Sequence, residues 1–334
     1  MPSLRDVAEK LDVSISLVSK VLNDRLGTTG VRKDLIAKIR LTAAEMGYRK
    51  NFSALSLLAK RQNSLAVFIH SSGAHGSGLV EKVLDGISQA TAARSQRINL
   101  EFFENAEHFR SKRGSLHGGL VDGLIVGGVS HPDLIEDFLE IQRVDIPVVT
   151  IYNEAIHPDL VNIGIYHEDV SEAATTHLIE QGCRNILHLS VLPQRTAGYV
   201  RALDKAGIPF RAELVETMAA PDGFLAAAGE AAVTKFLANG IAIDGISAQS
   251  DTQAAGAVTA LTRKGLRVPE DVKVIGIDNA PFTKFWSVPL SSVSQRFVDR
   301  GQCAVETLND IFEEKEVTVS YWEPRVHKRA STGF

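Results

Sequence analysis

The first sixty residues have the hydrophobic spacing of short amphipathic helices and show no strand pattern. The segment LRDVAEKL, which begins at Leu4 after the N-cap candidate Ser3, repeats apolar residues every three or four positions. The same spacing predicts a second helix at about 14–23 and a third at about 32–46, which ends at Gly47. The chain is therefore predicted to begin with an all-α unit whose first two helices are joined by a short turn.

From Leu65 onwards the pattern changes to short apolar runs that alternate with helical segments. The runs include LAVFIH, VDGLIV, PVVTI, NILHLS and VKVIGID, and the helical segments include 79–95, 168–182 and 251–265. Nearly continuous apolar strands separated by helices are typical of parallel sheets covered on both faces. The number of units predicts two doubly wound α/β lobes, to which late strands near 317–322 and 325–330 return.

The second helix is unusual because short polar residues occupy its predicted outer face. Ser14, Ser16, Ser19 and Lys20 interrupt its apolar positions. Two helices joined by a short turn, the second with small polar side chains, are typical of a helix-turn-helix whose recognition helix enters the major groove of DNA. A surface helix that merely tolerates serine is the alternative interpretation.

The charge distribution favours an anionic partner at the start of the chain. Residues 1–61 contain twelve Lys and Arg but six Asp and Glu, which gives a net charge of +6. The whole chain has a net charge of −4, so the remaining residues have a net charge of −10. The segment MPSLRDVAEK lacks the apolar core of a signal peptide, and no apolar run approaches the ~20 residues of a membrane span, so a cytoplasmic protein is expected. Cys183 and Cys303 lack metal-ligand spacing, and no metal or cofactor is predicted.

The segment LRDVAEKLDVSISLVSKVLN closely resembles the DNA-binding headpiece of the lactose-repressor/galactose-repressor family of bacterial transcription factors. The resemblance continues through HLIEQGCRNILHLS, RTAGYVRALDKAGI, GLRVPEDVKVIGIDN and PLSSVSQ. It implies an all-α helix-turn-helix headpiece at 1–50, a hinge helix at 51–61, and a periplasmic-binding-protein-like body for effector binding and dimerisation at 62–334. The implied lobes are an N-lobe of about 62–163 and 293–320 and a C-lobe of about 164–292 and 321–334.

For the headpiece, the resemblance implies binding to double-stranded operator DNA. The implied residues are the base readers Ile15, Ser16 and Lys20, the phosphate-binding Ser14, Ser19 and Asn23, and Leu57, which the family wedges into the minor groove. The chain departs from the family at Arg32, where a capping Ser or Thr is usual. A homodimer is expected, because two headpieces read the two half-sites of a near-palindrome.

For the body, the resemblance implies a small-molecule effector between the lobes. Arg195 and Asp278 match positions that grip the effector, Gln295 and Phe297 match further pocket positions, and Ser250, His70 and Tyr152 are expected to line the pocket. A guanidinium, a carboxylate and an amide suit the hydroxyl groups of a sugar. We therefore expect a repressor that is controlled allosterically by a sugar or a related metabolite.

Two alternatives remain at this stage. A solute-binding protein without a regulatory role would share the body, but it would need an export signal and would not have the headpiece. A nucleotide-binding enzyme would need a dinucleotide or phosphate-loop fingerprint, and the glycine-rich SSGAHGSG has neither the GK[ST] ending nor the GxGxxG spacing. Without a catalytic motif in the sequence, we expect no enzyme.

Overall fold

Ser3 begins helix α1 (Leu4–Leu11) with a reciprocal cap. The Asp6 N–H donates to Ser3 Oγ, and the Ser3 N–H donates to Asp6 Oδ2 at 2.7 Å. Asp12, in the left-handed conformation with φ 53°, ends the helix and turns the chain towards α2 (Ile15–Leu22). Helix α3 (Lys33–Glu45) follows Arg32, which makes no side-chain cap.

This computed structural model describes residues 2–22, 26, 30–48, 61–71, 78–116 and 120–334. The chain divides into two compact units, residues 1–62 and 63–334. The predicted hinge helix, except for its last residue, lies outside the described residues, as do Asn23 and Leu57.

The first unit is held together by a small apolar core between its three described helices. Its buried members are Val7, Ala8, Val18, Val21, Ile39 and Ala43. Because α2 turns Val18 and Val21 inwards, its serines and its lysine lie on other faces of the helix.

The described residues of the second unit form two six-stranded sheets. The first has the order β11-β5-β4-β3-β1-β2 and parallel pairing throughout. Its strands are β1 (Ser64–His70), β2 (Arg97–Phe103), β3 (Gly123–Gly127), β4 (Val148–Ile151), β5 (Val161–Gly164) and β11 (Ser320–Tyr321).

The second sheet has the order β12-β10-β9-β8-β6-β7, and only β12 is antiparallel to its neighbour. Its strands are β6 (Ile186–Ser190), β7 (Val215–Thr217), β8 (Gly245–Ala248), β9 (Lys273–Ile277), β10 (Ser291–Ser294) and β12 (Arg325–His327). Strands β1, β3 and β6 are buried along their whole length, as their continuous apolar runs predict.

Helices cover both faces of each sheet. Around the first sheet lie α4 (Leu79–Ala93), α5 (Ala106–Lys112), α6 (Ile135–Arg143) and α11 (Phe297–Phe312), and around the second lie α7 (His167–Glu180), α8 (Pro193–Lys205), α9 (Ala226–Ala238) and α10 (Asp251–Arg263). The fold predicted from the sequence, two doubly wound lobes after a helical unit, is confirmed. No helix in the described part of the chain is long and apolar enough to cross a membrane.

The chain passes between the lobes three times. It leaves β5 for α7, leaves β10 for α11, and leaves β11 for β12. Strand β10 pairs within the second sheet as far as Ser294, and β11 pairs within the first as far as Tyr321. Strand β5 likewise belongs to the first sheet as far as Gly164, so all three crossings fall one or two residues later than the boundaries expected at 164, 293 and 321.

Glycines allow the paired helices to approach closely. A Cβ on Gly198 of α8 would overlap the carbonyl oxygen of Glu168 on α7, and one on Gly86 of α4 would overlap that of Val298 on α11. These contacts hold the starts of α7 and α11 against their partner helices. Both starts lie at a crossing between the lobes.

Candidate functional site

The outer face of α2 presents a short row of polar groups. Ser14, Ser16 and Lys20 are exposed, Ser19 is half-buried, and Ile15 is 43% exposed although it is apolar. Ser14 also begins the helix, because its Oγ accepts the Leu17 N–H at 3.1 Å. The hydroxyl proton of Ser14 therefore remains available to donate to another group.

A depression in the same unit adds a second cation to this row. It is lined by Ser14, Ser16, Lys20 and Arg32, together with apolar residues and Gly30. Two cations and two hydroxyls, with no carboxylate among the described lining residues, form a surface suited to phosphate oxygens. Arg32 lies 3.7 Å from Asp34 across an exposed pair, which water screens strongly.

In the body, Arg195 is almost completely buried at the start of α8. Its Nη1 donates to the carbonyl oxygen of Gln249, and its Nε donates to Nδ1 of His167 at 3.3 Å. The Cζ lies 5.9 Å from the centre of the Phe224 ring. Burial lowers the pKa of this guanidinium. Its hydrogen-bond acceptors are neutral groups.

Asp278 follows β9 in a conformation that L residues rarely adopt, with φ 108°. Its Oδ1 accepts from Nε2 of Gln295 at 2.6 Å, and its backbone oxygen accepts from Nζ of Lys82 at 2.7 Å. Burial raises the pKa of its carboxyl, and the charge of Arg195 opposes that rise. Strain of this kind costs about 1–3 kcal/mol and is typical of functional positions.

Gln295 joins these two groups through residues of both lobes. Its Oε1 accepts from Nδ2 of Asn153 at 2.8 Å, and the same Nδ2 lies 3.4 Å from Nδ1 of His167. A continuous polar network thus runs from Arg195 through His167, Asn153 and Gln295 to Asp278. Three of the seven predicted effector residues, Arg195, Asp278 and Gln295, are brought together in it.

Ser250 and Phe297 lie at the starts of two further helices. Ser250 precedes α10, where its Oγ accepts the Gln253 N–H and donates to the carbonyl oxygen of Phe224 at 2.7 Å. Phe297 is the first residue of α11, and its ring centre lies 5.1 Å from the guanidinium carbon of Arg300.

The structure does not bring His70 and Tyr152 to this network. His70 is buried at the end of β1, with Nε2 2.9 Å from the carbonyl oxygen of Glu104 and its ring 4.4 Å from that of His131. Tyr152 is completely buried in the apolar cluster of the first lobe, and burial raises the pKa of its hydroxyl. A role for either in ligand contact stays a prediction.

Sequence reasoning missed His167, Asn153 and Lys82. Burial, helped by the charges of Arg195 and Arg300, lowers the pKa of His167 to about 3, so its ring is neutral and Nδ1 accepts hydrogen bonds. Lys82 of α4 reaches from the first lobe to the carbonyl oxygens of Asp278 and Asn279 in the second. Asn153 and His167 each follow a parallel strand by two or three residues, which is a signal that could have found them.

Comparisons with known proteins agree with this architecture. Residues 175–332 match the periplasmic binding protein-like domain. The transcriptional regulator RegA of Clostridium saccharobutylicum is 26% identical over 94% of both chains, and the catabolite control protein A of Priestia megaterium is 26% identical over 99% of both. The transcriptional repressor PurR of Pectobacterium atrosepticum is 27% identical over 93% of this chain and 90% of its own.

Solved structures show the same fold. The lac repressor dimer, bound to operator and the anti-inducer ONPF, matches with a TM-score of 0.75 and 23% identity over 99% of both chains. The complex of the regulator CelR with cellobiose matches with a TM-score of 0.69 and 24% identity over 99% of this chain and 100% of its own. Together, the end-to-end sequence matches to transcriptional regulators and the shared fold agree with the resemblance to the lactose-repressor/galactose-repressor family that the sequence indicated.

Proposed function

We propose that this protein is a cytoplasmic repressor that binds double-stranded operator DNA as a homodimer and responds to a sugar held between its two lobes. The observation that supports it most strongly is the network from Arg195 to Asp278, which contains residues of both lobes. Parallel sheets bind ligands beyond the carboxyl ends of their strands, where this network lies.

On the DNA side, we assign recognition to α2. Ser16, Ile15 and Lys20 are the base-reading residues, with Ile15 offering an apolar contact to a thymine methyl. Ser14, Ser19 and Asn23 bind phosphates, and Leu57 enters the minor groove. The exposure of Ile15, which the apolar core of the unit leaves unused, supports this assignment.

On the effector side, the chemistry of the network favours a polyhydroxylated ligand. The Asp278 carboxylate accepts hydroxyl protons, the Arg195 guanidinium donates, and the Gln295 amide does both. Ser250 and Phe297 complete the proposed site, Phe297 with a ring that can face the apolar side of a sugar. Binding of cellobiose by the similar regulator CelR agrees with this class of ligand.

Regulation follows from the position of the ligand between lobes that can move relative to each other. A ligand shifts the lobes only by its differential affinity for their two arrangements, typically about 1–3 kcal/mol. Lys82 connects the lobes by donating to two carbonyl oxygens of the second lobe, so a movement of the lobes changes these hydrogen bonds. The change is passed to the predicted hinge at 51–61 and alters the spacing of the two headpieces.

The test separates DNA binding from ligand response. Operator sites are selected from a random DNA pool, and binding is measured by fluorescence anisotropy with and without each sugar of a panel. Ser16→Ala and Lys20→Ala should weaken binding or change base preference, whereas Lys38→Ala, an exposed lysine of α3, serves as the control. Arg195→Ala and Asp278→Ala should bind operator normally but lose the response.

Other outcomes would point elsewhere. Failure of the wild-type chain to select any DNA sequence would favour a solute-binding protein without a regulatory role. A sugar that acts equally on wild type, Arg195→Ala and Asp278→Ala would show that the effector site is elsewhere.

A further inference from the structure

Arg300 is a completely buried guanidinium in the first turn of α11. Its Nε donates to the carbonyl oxygen of Ile163 at 3.0 Å, and its Nη2 donates to that of Tyr152 at 2.9 Å. Within the described part of the chain, its Nη1 has no hydrogen-bond partner. The side chain therefore retains an unused donor in a position that water does not reach.

The charge of Arg300 has no carboxylate partner among the described residues. Two other arginines of the body are paired: Arg113 lies 2.7 Å from Asp137, and Arg201 contacts both Asp169 and Glu172. Burial lowers the pKa of Arg300 to about 9, so the group is still a cation at neutral pH. Buried charges in proteins are normally paired, because an isolated one is costly to remove from water.

Arg195 is a second buried cation whose acceptors are neutral, and it belongs to the same region. Arg300 donates to the carbonyl oxygen of Tyr152, and the next residue, Asn153, lies 3.4 Å from the His167 Nδ1 to which Arg195 donates. Asp278 is the carboxyl whose charge acts on Arg195, and its Oδ1 already accepts from Gln295 at 2.6 Å.

The helix ends add to the positive potential. Helix α7 begins at His167, α8 begins two residues before Arg195, and α11 begins three residues before Arg300. The amino end of a helix carries a partial positive charge, which disfavours a cation in the first turn and favours an anion. Two arginines at such ends are a costly arrangement unless an anion joins them.

We propose that the effector carries an anionic group, a carboxylate or a phosphate, which binds Arg300 through its unused Nη1 together with Arg195. This proposal rests on the proposed function, because it takes the sugar effector from there. The ligand is then an acidic sugar whose hydroxyls face Asp278 and Gln295 and whose anionic group faces the two arginines. Because Nη1 is covered, the ligand enters as the lobes part and is enclosed as they close.

The anion site is tested first with simple ions. Thermal unfolding is measured in sodium phosphate, sulfate and acetate against sodium chloride at equal ionic strength, for wild type, Arg300→Met and the control Arg201→Met. Sulfate and phosphate stabilise folded proteins in general, so the expected result is a difference: wild type and Arg201→Met should gain more stability from these anions, relative to chloride, than Arg300→Met does. Equal responses of wild type and Arg300→Met would overturn the proposal, and the comparison cancels any anion effect of the headpiece.

Matched sugars then identify the source of the anion. Calorimetry compares hexoses with the corresponding hexuronates and hexose 6-phosphates. The acidic members should bind wild type about tenfold tighter or more, since charge-assisted hydrogen bonds exceed neutral ones by that factor. The preference should disappear in Arg300→Met and survive partly in Arg300→Lys, which retains the charge but loses the fork.

The outcomes keep the two proposals apart. If wild type and Arg300→Met each bind neutral hexoses as tightly as the corresponding acidic sugars, the anion site is overturned. The proposal of a sugar effector is unaffected by that result. Anion stabilisation through Arg300 without any sugar response of operator binding would support the anion site and count against the sugar effector. If Arg300→Met fails to fold, Arg300→Lys takes its place. Stabilisation of Arg300→Lys by the anions to the same extent as Arg201→Met would contradict a role for the two-pronged guanidinium of Arg300.

Discussion

The two candidate sites of this molecule hold their polar groups in contrasting ways. On α2, Ser16 and Lys20 are exposed, come from one short helix and are solvated by water. In the body, Arg195, Asp278 and Gln295 are buried, come from separate elements and are joined in one hydrogen-bond network through His167 and Asn153. An exposed polar group can be changed at little cost to stability, whereas a buried one leaves its partners unsatisfied.

This contrast predicts different effects of substitutions in the two regions. The proposed DNA-reading face can vary without disturbing the fold, because Val18 and Val21 on another face of α2 contribute to the core beneath it. Changes at the effector site affect stability and binding together. Substitutions in the two regions should therefore separate cleanly when stability and binding are both measured.

The largest effect on stability is expected where helices touch. Gly198→Ala places a Cβ against the carbonyl oxygen of Glu168 and should lower the free energy of unfolding by about 2–3 kcal/mol. Since α7 and α8 carry His167 and Arg195, effector binding should weaken as well. Gly114→Ala, at a glycine with open space around it, is the control for chemical denaturation, and an equal loss in both variants would contradict the helix-contact argument.

The next largest effect is expected inside the buried network. Gln295→Ala removes the hydrogen bonds to Asp278 and Asn153 and should cost about 1–2 kcal/mol of unfolding free energy. Ser16→Ala, which removes an exposed hydroxyl, is the matched comparison from the DNA-binding face. If the two variants have equal free energies of unfolding in urea, the expected difference in stability between the two regions is contradicted.

A pH-dependent effect is expected in the body from a buried carboxyl. Burial raises the pKa of Asp251 well above its ordinary value of 3.8, so the folded state binds a proton more tightly than the unfolded chain. The contribution of Asp251 to stability is therefore greatest below pH 3.8 and is lost as pH rises towards its folded pKa. Relative to Asp251→Asn, the wild type should lose stability from pH 4 to pH 7, and parallel pH profiles would contradict this.

The smallest effect on stability is expected on the DNA-binding face. Lys20→Ala should change the free energy of unfolding by less than about 0.5 kcal/mol. If Lys20 contacts a phosphate, the slope of log affinity against log salt should fall by about one. Lys38→Ala should leave that slope unchanged, and a large loss of stability in Lys20→Ala would remove the distinction between the two regions.

Local patterns in the sequence determined the elements and the class of fold. The spacing of apolar residues predicted α1 and α3 closely, and the apolar runs predicted buried parallel strands such as β6, because both periodicities depend only on near neighbours in the chain. The motifs of the headpiece and of the C-terminal lobe also led to the family. The capping role of Ser14 and the exposed face of α2 follow from the same local information.

The tertiary structure decided which distant residues meet. Asn153 and His167 meet because β4 and β5 are neighbours in the sheet, and Lys82 joins them from the first turn of α4; the sequence places the first two after strands but does not show which strands are neighbours. Tyr152 is completely buried in the core of the first lobe, a placement that its sequence position alone does not show, and its contact with a ligand stays a prediction. The unpaired charge of Arg300 is likewise invisible in the sequence, because burial and the absence of a carboxylate among its described neighbours depend on the packing of the whole body.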